Sequence, residues 1–546
     1  LSANIFYTYD INSLFTSGFT QAYEIYEFSN SGTSTRFGNK APLTYRSAGF
    51  SGNLRNNEFW AGLDYDRSIG QHDFKLSSRM QRAVSASPNR LDNTRINYAN
   101  RLSYSFRQRY FADLVASYSG SQSFAPGNRF GWFPAVSAGW IISDENMLKS
   151  VKVLDYLKIR GSFGLVGNDG ISARRYAYRN YFSRGGSQYT FGTGYNAVSN
   201  TTEVELGNPD LTWEKATKAS LGFDAKLLKQ SVAVSFDYFY EKRKDLLTTA
   251  LLPNILGQST VSVNDGIANY KGFETAIGYN KTFGKVNVRL NGNYTYANSN
   301  IDAINEEAGL PAYQKQANFQ IGGVLQGGSF IRRFLVAEGL FQTQAEIDAA
   351  PVQRLSGVVR PGDIRYKDIN ADGQIDNLDF IMTDYSDVPT SYYGFGTQVS
   401  YSNFDISLQF QGVGGRTIQI NDLVNSGSQS TGYINQFSKE AWVDVSGGIY
   451  PRATLGDRGN NTASSTFWLR DGDYLRLKTA EIGYTFPAGL LKSAKINSCR
   501  FYVSGFNLLT FSKLNDLPID PEIPTSGYGS NYPYITTFAA GLSLNF

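Results

Sequence analysis

Apolar and polar residues alternate with a period of two through most of this chain, and no other feature limits its fold as much. In "FDISLQFQ", Phe404, Ile406, Leu408 and Phe410 fall on one side and Asp405, Ser407, Gln409 and Gln411 on the other. In "VNVRLNGNYTY", Val286, Val288, Leu290, Tyr294 and Tyr296 oppose Asn287, Arg289, Asn291, Asn293 and Thr295. The stretch "SVAVSFDYFY" sets Val232, Val234, Phe236, Tyr238 and Tyr240 against smaller or polar residues. Successive side chains leave a strand on opposite sides, so this period marks strands with two unlike faces. Each run lasts about ten residues, the length a tilted strand needs to cross a bilayer. Several runs carry Tyr or Phe at an end, where an aromatic girdle would lie.

Alternation alone also suits a soluble sandwich, with one face in a core and the other in water. The connections separate the two cases. Short turns are expected near residues 107–108, 227–230, 281–284, 402–403 and 487–496. Long connections are expected near 167–213, 242–269, 298–390, 413–472 and 510–534. Short turns at one end and long loops at the other are the pattern of an outer-membrane barrel, whose short end faces the periplasm. A compact soluble domain seldom carries so many loops beyond about fifteen residues. Roughly fifteen to eighteen strand candidates are also too many for a sandwich. The last run, "TFAAGLSLNF", alternates Phe538, Ala540, Leu542, Leu544 and Phe546 against Thr537, Ala539, Gly541, Ser543 and Asn545, and its aromatic end suits an outer-membrane assembly signal. The expected fold class is all-β: a transmembrane antiparallel β-barrel with short periplasmic turns and long extracellular loops.

Composition agrees, and it removes other functions. The chain holds 36 Tyr, 37 Phe and 54 Gly but one His and one Cys. His72 and Cys499 alone can build neither a zinc site of the usual ligands nor an intramolecular disulfide. His72, in "GQHDF", reads as a turn histidine rather than a catalytic base. A formal charge of +4 without a dense Lys/Arg stripe gives nucleic-acid binding no support. No apolar run of about eighteen residues provides a transmembrane helix, which says nothing against a barrel.

Several segments resemble one family in its own order. They are "NYANRLSYSFRQRYFADLVASYSGSQSF", "RFGWFPAVSAGWIISDENML", "LDYLKIRGSFGLVGNDGI", "GNPDLTWEKATKASLGFDAKLLKQSVAVSFDYFYEKRKDLL", "NYKGFETAIGYN", "GDIRYKDINADGQIDNLDF" and "YLRLKTAEIGYTFPAGLL". The family is that of the SusC-like TonB-dependent outer-membrane transporters of Bacteroidetes, of the SusC/RagA type. The resemblance implies a barrel of about 22 strands around an N-terminal plug. It also implies a SusD-like surface lipoprotein as partner, energy from the TonB complex, import of glycan or peptide oligomers, and no enzymatic activity. The opening "LSANIFYTYD" already reads as barrel strand. Residues 1–546 are therefore expected to be the C-terminal portion of the barrel. The plug, the TonB-contacting part and the remaining strands would come from another segment or chain, because an incomplete barrel has edges that cannot face lipid.

Within the expected long extracellular loop 298–390, "DINADGQIDNLD" has the spacing of an EF-hand calcium loop. Calcium takes six to eight oxygens, supplied from positions 1, 3, 5, 7, 9 and 12 of such a loop. Here those are Asp368, Asn370, Asp372, Gln374 through its carbonyl, Asp376 through water, and Asp379. Gly373 stands where the sharp turn falls and Ile375 gives an apolar anchor; Asp at position twelve reaches less far than the usual Glu. The expectation is a structural Ca2+ that clips a loop with little core of its own; an Asx-rich turn without metal is the plainer alternative.

Other motifs read as structure. "GLVGNDG" lacks phosphate-loop spacing and suits a strand-end turn. Asp471 and Asp473 suit a turn better than a pair of glycosidase acids. Trp213 is expected in an interface girdle rather than at a binding rim, and "SDENMLK" as a short helix capped by Ser143. Beside import, two functions of other classes remain. One is a calcium-stabilised, β-rich surface adhesin, which would be soluble without detergent. The other is a carbohydrate-active enzyme, which needs two acids about 5–9.5 Å apart.

Overall fold

The computed structural model describes residues 1–20, 25–28, 34–37, 44–87, 90–170, 176–191, 196–252, 255, 260–307, 309–320, 324–326, 329–331, 333–355, 357–420, 440–443, 447–452, 459–487, 489, 496–514, 517, 519–522 and 534–545. Among these, sixteen strands pair in chain order into one sheet. They are β1 (Ser2–Thr20), β2 (Thr44–Ile69), β3 (His72–Ser87), β4 (Arg90–Phe106), β5 (Tyr110–Ser121), β6 (Phe130–Ile141), β7 (Leu154–Asn168) and β8 (Glu214–Leu227). The series continues with β9 (Val232–Leu251), β10 (Thr260–Phe283), β11 (Val286–Ala303), β12 (Ser391–Tyr401), β13 (Phe404–Gly414), β14 (Tyr474–Thr485), β15 (Ser498–Ser512) and β16 (Thr537–Asn545). No helix among the described residues is long and apolar enough to cross a membrane.

At one end of the sheet tight turns return the chain at once, so the strands they join are neighbours. Gly70 and Gly284 supply positive φ for two-residue turns. Arg107 and Gln108 adopt the left-handed region without that freedom, and so do Ser402 and the run Leu228–Gln230. The turns at 107–108, 228–230, 284 and 402 lie where short connections were expected, the one at Gly70 lies beside His72, and the connection expected over 487–496 falls mostly outside the described residues. The 142–153 connection opens on a 3-10 turn, Ile142–Asp144. Ser143 lies inside that turn, and no side chain caps it, so the expected Ser143-capped helix does not form. At the opposite end β9 and β10 run on further than the alternation suggested. The connection expected over 242–269 shrinks to 252–259.

Compactness divides the chain into two units. The first comprises Leu1–Val136, Gly164–Glu214 and Leu252–Val263. On one side of its strands Leu63, Leu76, Leu102 and Leu114 stand exposed. On the other, Arg79 meets Asp64 at 2.8 Å and Arg101 meets Asp113 at 2.9 Å. The second unit comprises Ser137–Phe163, Lys215–Leu251 and Asn264–Phe546. It repeats the division: Leu221, Ile277, Leu290, Phe395, Ile406 and Val503 are exposed on one face. On the other, Arg160 joins Asp224 and Asp237, and Arg500 joins Asp405 and Glu481. Leu221 leaves 63% of its surface bare. Isolated exposed leucines are ordinary, but whole rows of them facing outward mark a surface meant for something other than water.

The second unit also contains a buried cluster outside the sheet. Leu335, Ile364, Tyr366, Ile375, Ile418, Ile420, Tyr450, Trp468 and Leu514 pack together. They come from the connections after β11, β13 and β15, so three long loops share one core. Short ladders brace it: Ala337–Leu340 with Ile364–Tyr366, Thr417–Gln419 with Leu469–Asp471, and Val352–Gln353 with Gln374–Ile375. The long 298–390 loop thus has a core, against the expectation that it would have little.

The third loop is also tied by charge. Arg476 of β14 is 1% exposed. It holds both oxygens of Asp520 at 2.7 and 2.6 Å and Glu522 at 2.5 Å. Tyr474 and Gln411 donate to the other oxygen of Glu522, at 2.7 and 2.6 Å. Burial pushes the Glu522 carboxyl up, but Tyr474, Arg476 and Lys478 outweigh it and hold it below the ordinary glutamate range.

Two outcomes follow. Replacing Trp468, wholly buried and bonded through Nε1 to the Asn461 carbonyl at 3.0 Å, with Ala should cost about 3–5 kcal/mol of loop stability. Limited proteolysis should then cut residues 304–390 and 415–473 faster, while the heat-resistant gel mobility of the sheet is kept. The second outcome concerns acid. The stabilisation from Glu522 is full above its ordinary value of 4.5 and is lost as pH falls through its lower folded value. Protease access to residues 513–522 should therefore rise only below pH 4.5, and in Glu522→Gln that step should vanish.

Candidate functional site

The loop from Asp368 to Asp379 folds around its own side-chain oxygens. Ala371 and Gly373 take positive φ, at 58° and 82°, and turn the chain sharply. Their N–H groups donate to the two oxygens of Asp368 at 2.7 and 2.8 Å. Asn370 accepts from the Asp372 N–H at 3.1 Å, and Asp372 accepts from the Gln374 N–H at 2.8 Å. Asp376 then caps a 3-10 turn, Asn377–Asp379, by accepting from the Leu378 N–H. Asp379 closes the loop: its two oxygens accept from Ile369 N–H and Asp376 N–H, both at 2.8 Å, and it is wholly buried.

The exit of the loop is anchored in the shared core. Ile375 is buried there, and Gln374–Ile375 run parallel to Val352–Gln353. That ladder uses the carbonyls of Gly373 and Ile375. Carbonyls alternate in direction along a strand, so that of Gln374 turns away from the ladder, as a position-seven ligand requires. Tyr313 and Gln314 cover the far side, donating to the Leu378 carbonyl at 2.9 and 3.1 Å. Burial, and then the charges of Asp379, Asp372, Asp368 and Asp376, push the Tyr313 hydroxyl up. All four carboxylates thus act on one phenol.

The residue set fits a hard cation in its chemistry, with oxygen donors at all six positions and lone pairs beyond those given to N–H groups. In geometry it is looser. Among the described residues no three or more His, Cys, Asp or Glu side chains are gathered tightly enough to hold a metal. At position twelve each oxygen of Asp379 accepts one backbone N–H.

The other sequence motifs settle into structural roles. Trp213 is buried, donates from Nε1 to the Arg129 carbonyl at 3.0 Å and packs against Phe124 and Phe133. It is therefore neither a girdle residue nor a rim contact; its aromatic neighbours are distant in sequence and gave no periodic sign. In "GLVGNDG", Asn168 accepts from the Gly170 N–H and Asp169 pairs with Arg95 at 2.7 Å, a turn as expected. Asp471 accepts from the Asp473 N–H and pairs with Lys513, and Asp473 accepts from the Arg416 N–H, also a turn. His72 bonds Tyr104 at 2.8 Å and packs at a tilt against the Phe106 ring, with centroids 4.7 Å apart. Phe546, the expected aromatic terminus, lies outside the described residues, while Phe538, Leu542 and Leu544 are exposed on one face of β16 as the alternation required. Arg476, which organises the mouth of β13–β15, carried no motif that could have marked it.

The family described as "TonB dependent receptor-like, beta-barrel" matches residues 1–508. The TonB-dependent receptor SusC of Bacteroides thetaiotaomicron is 27% identical over 514 residues, which is 90% of this chain and 47% of that protein. The TonB-dependent receptor P26 of Formosa agariphila is 27% identical over 484 residues, or 82% of this chain and 46% of its own. The chain therefore spans about half the length of the curated relatives it matches. Among solved structures, the RagAB peptide transporter superposes with a TM-score of 0.71 at 18% identity, covering 100% of this chain and 60% of that one. The RagAB peptide importer in its "open-open" state gives 0.69 at 19%, covering 100% and 59%. At such identities these structures speak for the fold, and a family of receptors, not of enzymes, agrees with it. One-face apolar strands in sequential order, together with this match, place the chain in the TonB-dependent receptor-like β-barrel family of outer-membrane proteins.

Proposed function

We propose that this chain forms most of the barrel wall of a TonB-dependent importer that carries glycan or peptide oligomers across the outer membrane with a SusD-like lipoprotein. The division of described strands such as β3, β4, β8 and β13 into an apolar and a polar face carries this reading. The apolar rows suit lipid, and the paired Arg and Asp rows suit a water-filled lumen. Three long connections sharing one core suit a folded extracellular rim on which a partner can rest. A soluble adhesin would leave rows such as Leu221, Ile277 and Ile406 in water, which counts against that alternative.

The barrel also needs more strands than the sixteen. Among the described residues β1 pairs only with β2, and β16 only with β15. Two open edges in lipid would leave rows of N–H and C=O groups unsatisfied at several kcal/mol each. Further strands of the same protein or a second chain close the barrel, with the plug and the TonB-contacting part among what they bring.

The calcium role is proposed beside this one. A cation at Asp368, Asn370, Asp372, Gln374 and Asp376, with Asp379 as closing residue, would fasten a rim loop that already has a core. The ion would supply charge neutralisation for four carboxylates in one turn.

Uptake by whole cells tests the first proposal. Labelled oligosaccharide or peptide should accumulate in cells carrying the protein and fall to background without TonB; equal uptake in both cells would refute active import. A lipoprotein should co-purify in detergent, and its absence would remove the partner. For the loop, calorimetry should give a dissociation constant of about 10⁻⁴–10⁻³ M for calcium, lost in Asp368→Asn/Asp372→Asn. No heat at millimolar calcium would leave an Asx turn.

A further inference from the structure

We propose that the outward face of the first unit, at its short-turn end, binds the phosphate headgroup of an anionic phospholipid in the periplasmic leaflet. This rests on the membrane-spanning reading above. Cross-strand partners define the face: Arg67 of β2 lies opposite Phe74 of β3, which lies opposite Tyr104 of β4. One step toward the turn, His72 lies opposite Phe106. Arg107, in the turn itself, holds its guanidinium 5.0 Å from the Phe106 ring centroid. Arg67 and Arg107 are both exposed.

Charge on this face is uncompensated. Arg67 bonds the Tyr65 hydroxyl at 3.4 Å, and Arg107 bonds the Gln71 side chain. Neither meets a carboxylate among the described residues. Arg79 and Arg101, on the opposite face of the same strands, each do. Period-two geometry explains the difference: Asp64, Asp66, Asp73 and Asp113 all project to the face of Arg79 and Arg101. Two guanidiniums thus stand at the level where aromatic residues meet headgroups, with no protein counter-ion.

A phosphate diester answers both features. Its charge suits the guanidiniums, which match phosphate oxygens in a planar fork. A lipid rather than a free anion is the better occupant, because the floor between the cations is aromatic. That floor continues toward the sheet centre as the exposed row of Leu76 and Leu102, where acyl chains would lie.

The test uses the complete protein, purified in detergent and placed in nanodiscs with phosphatidylglycerol or phosphatidylcholine. Native mass spectrometry should find phosphatidylglycerol retained preferentially by the natural protein. Arg67→Gln/Arg107→Gln should lower that preference roughly 30-fold, two cations' worth at a lipid surface. Lys75→Gln, on the polar face, should keep it. Heat-resistant gel mobility reports folding; if the double variant fails that check, each single variant should show roughly a fivefold loss. No preference in the natural protein, or an unchanged one in the variants, overturns the proposal, and displacement of the lipid by millimolar inorganic phosphate overturns the choice of occupant. Failure to insert into neutral nanodiscs would instead count against the membrane reading itself.

Discussion

Hydrocarbon offers a peptide group nothing to bond, and that constraint shapes nearly every feature of this chain. A strand in lipid must find its partner, so among the described residues sixteen strands pair with their neighbours in chain order, through tight turns at one end and mostly longer connections at the other. Each must also satisfy two solvents, which fixes its period. The turns at Arg107, Gln108 and Ser402 take backbone conformations that non-glycine residues seldom adopt. The sheet ladders on either side hold them there.

What was legible in the sequence followed from short-range rules. Alternation exposed the strands, and the spacing of alternating runs located most turns, because both depend on residues a few positions apart. The Asp368–Asp379 loop was legible for the same reason, down to the roles of Gly373 and Ile375. Less visible were features made by distant residues. Trp213 depends on Phe124 and Phe133, and the core around Trp468 gathers three connections. Arg476 was hidden in another way. A bulge near Lys478 shifts the phase of β14, so strict alternation through "YLRLKTAEIGYT" would assign its two halves to inconsistent faces.

The ionic groups divide the molecule by chemistry. On the polar face of the sheet, arginines sit between carboxylates, as Arg160 and Arg500 do, and such pairs keep a wet wall ordered without closing it. Near the start of β14, Arg476 plays a different part, drawing Asp520 and Glu522 down onto the sheet while almost wholly buried. Removing one partner of so buried a group would strand a charge, which makes that anchor harder to change than the surface pairs.

The shared core of the three connections has a consequence for how such proteins diversify. Ile375 from the first, Ile418 from the second and Leu514 from the third fill one volume, so these loops hold a buried core in common. A length change or exchange in one would leave holes in the other two. Diversity in this rim should therefore be inherited in blocks, with the three connections exchanged together as a cassette, and single-loop grafts between relatives should produce misfolded rims on intact barrels.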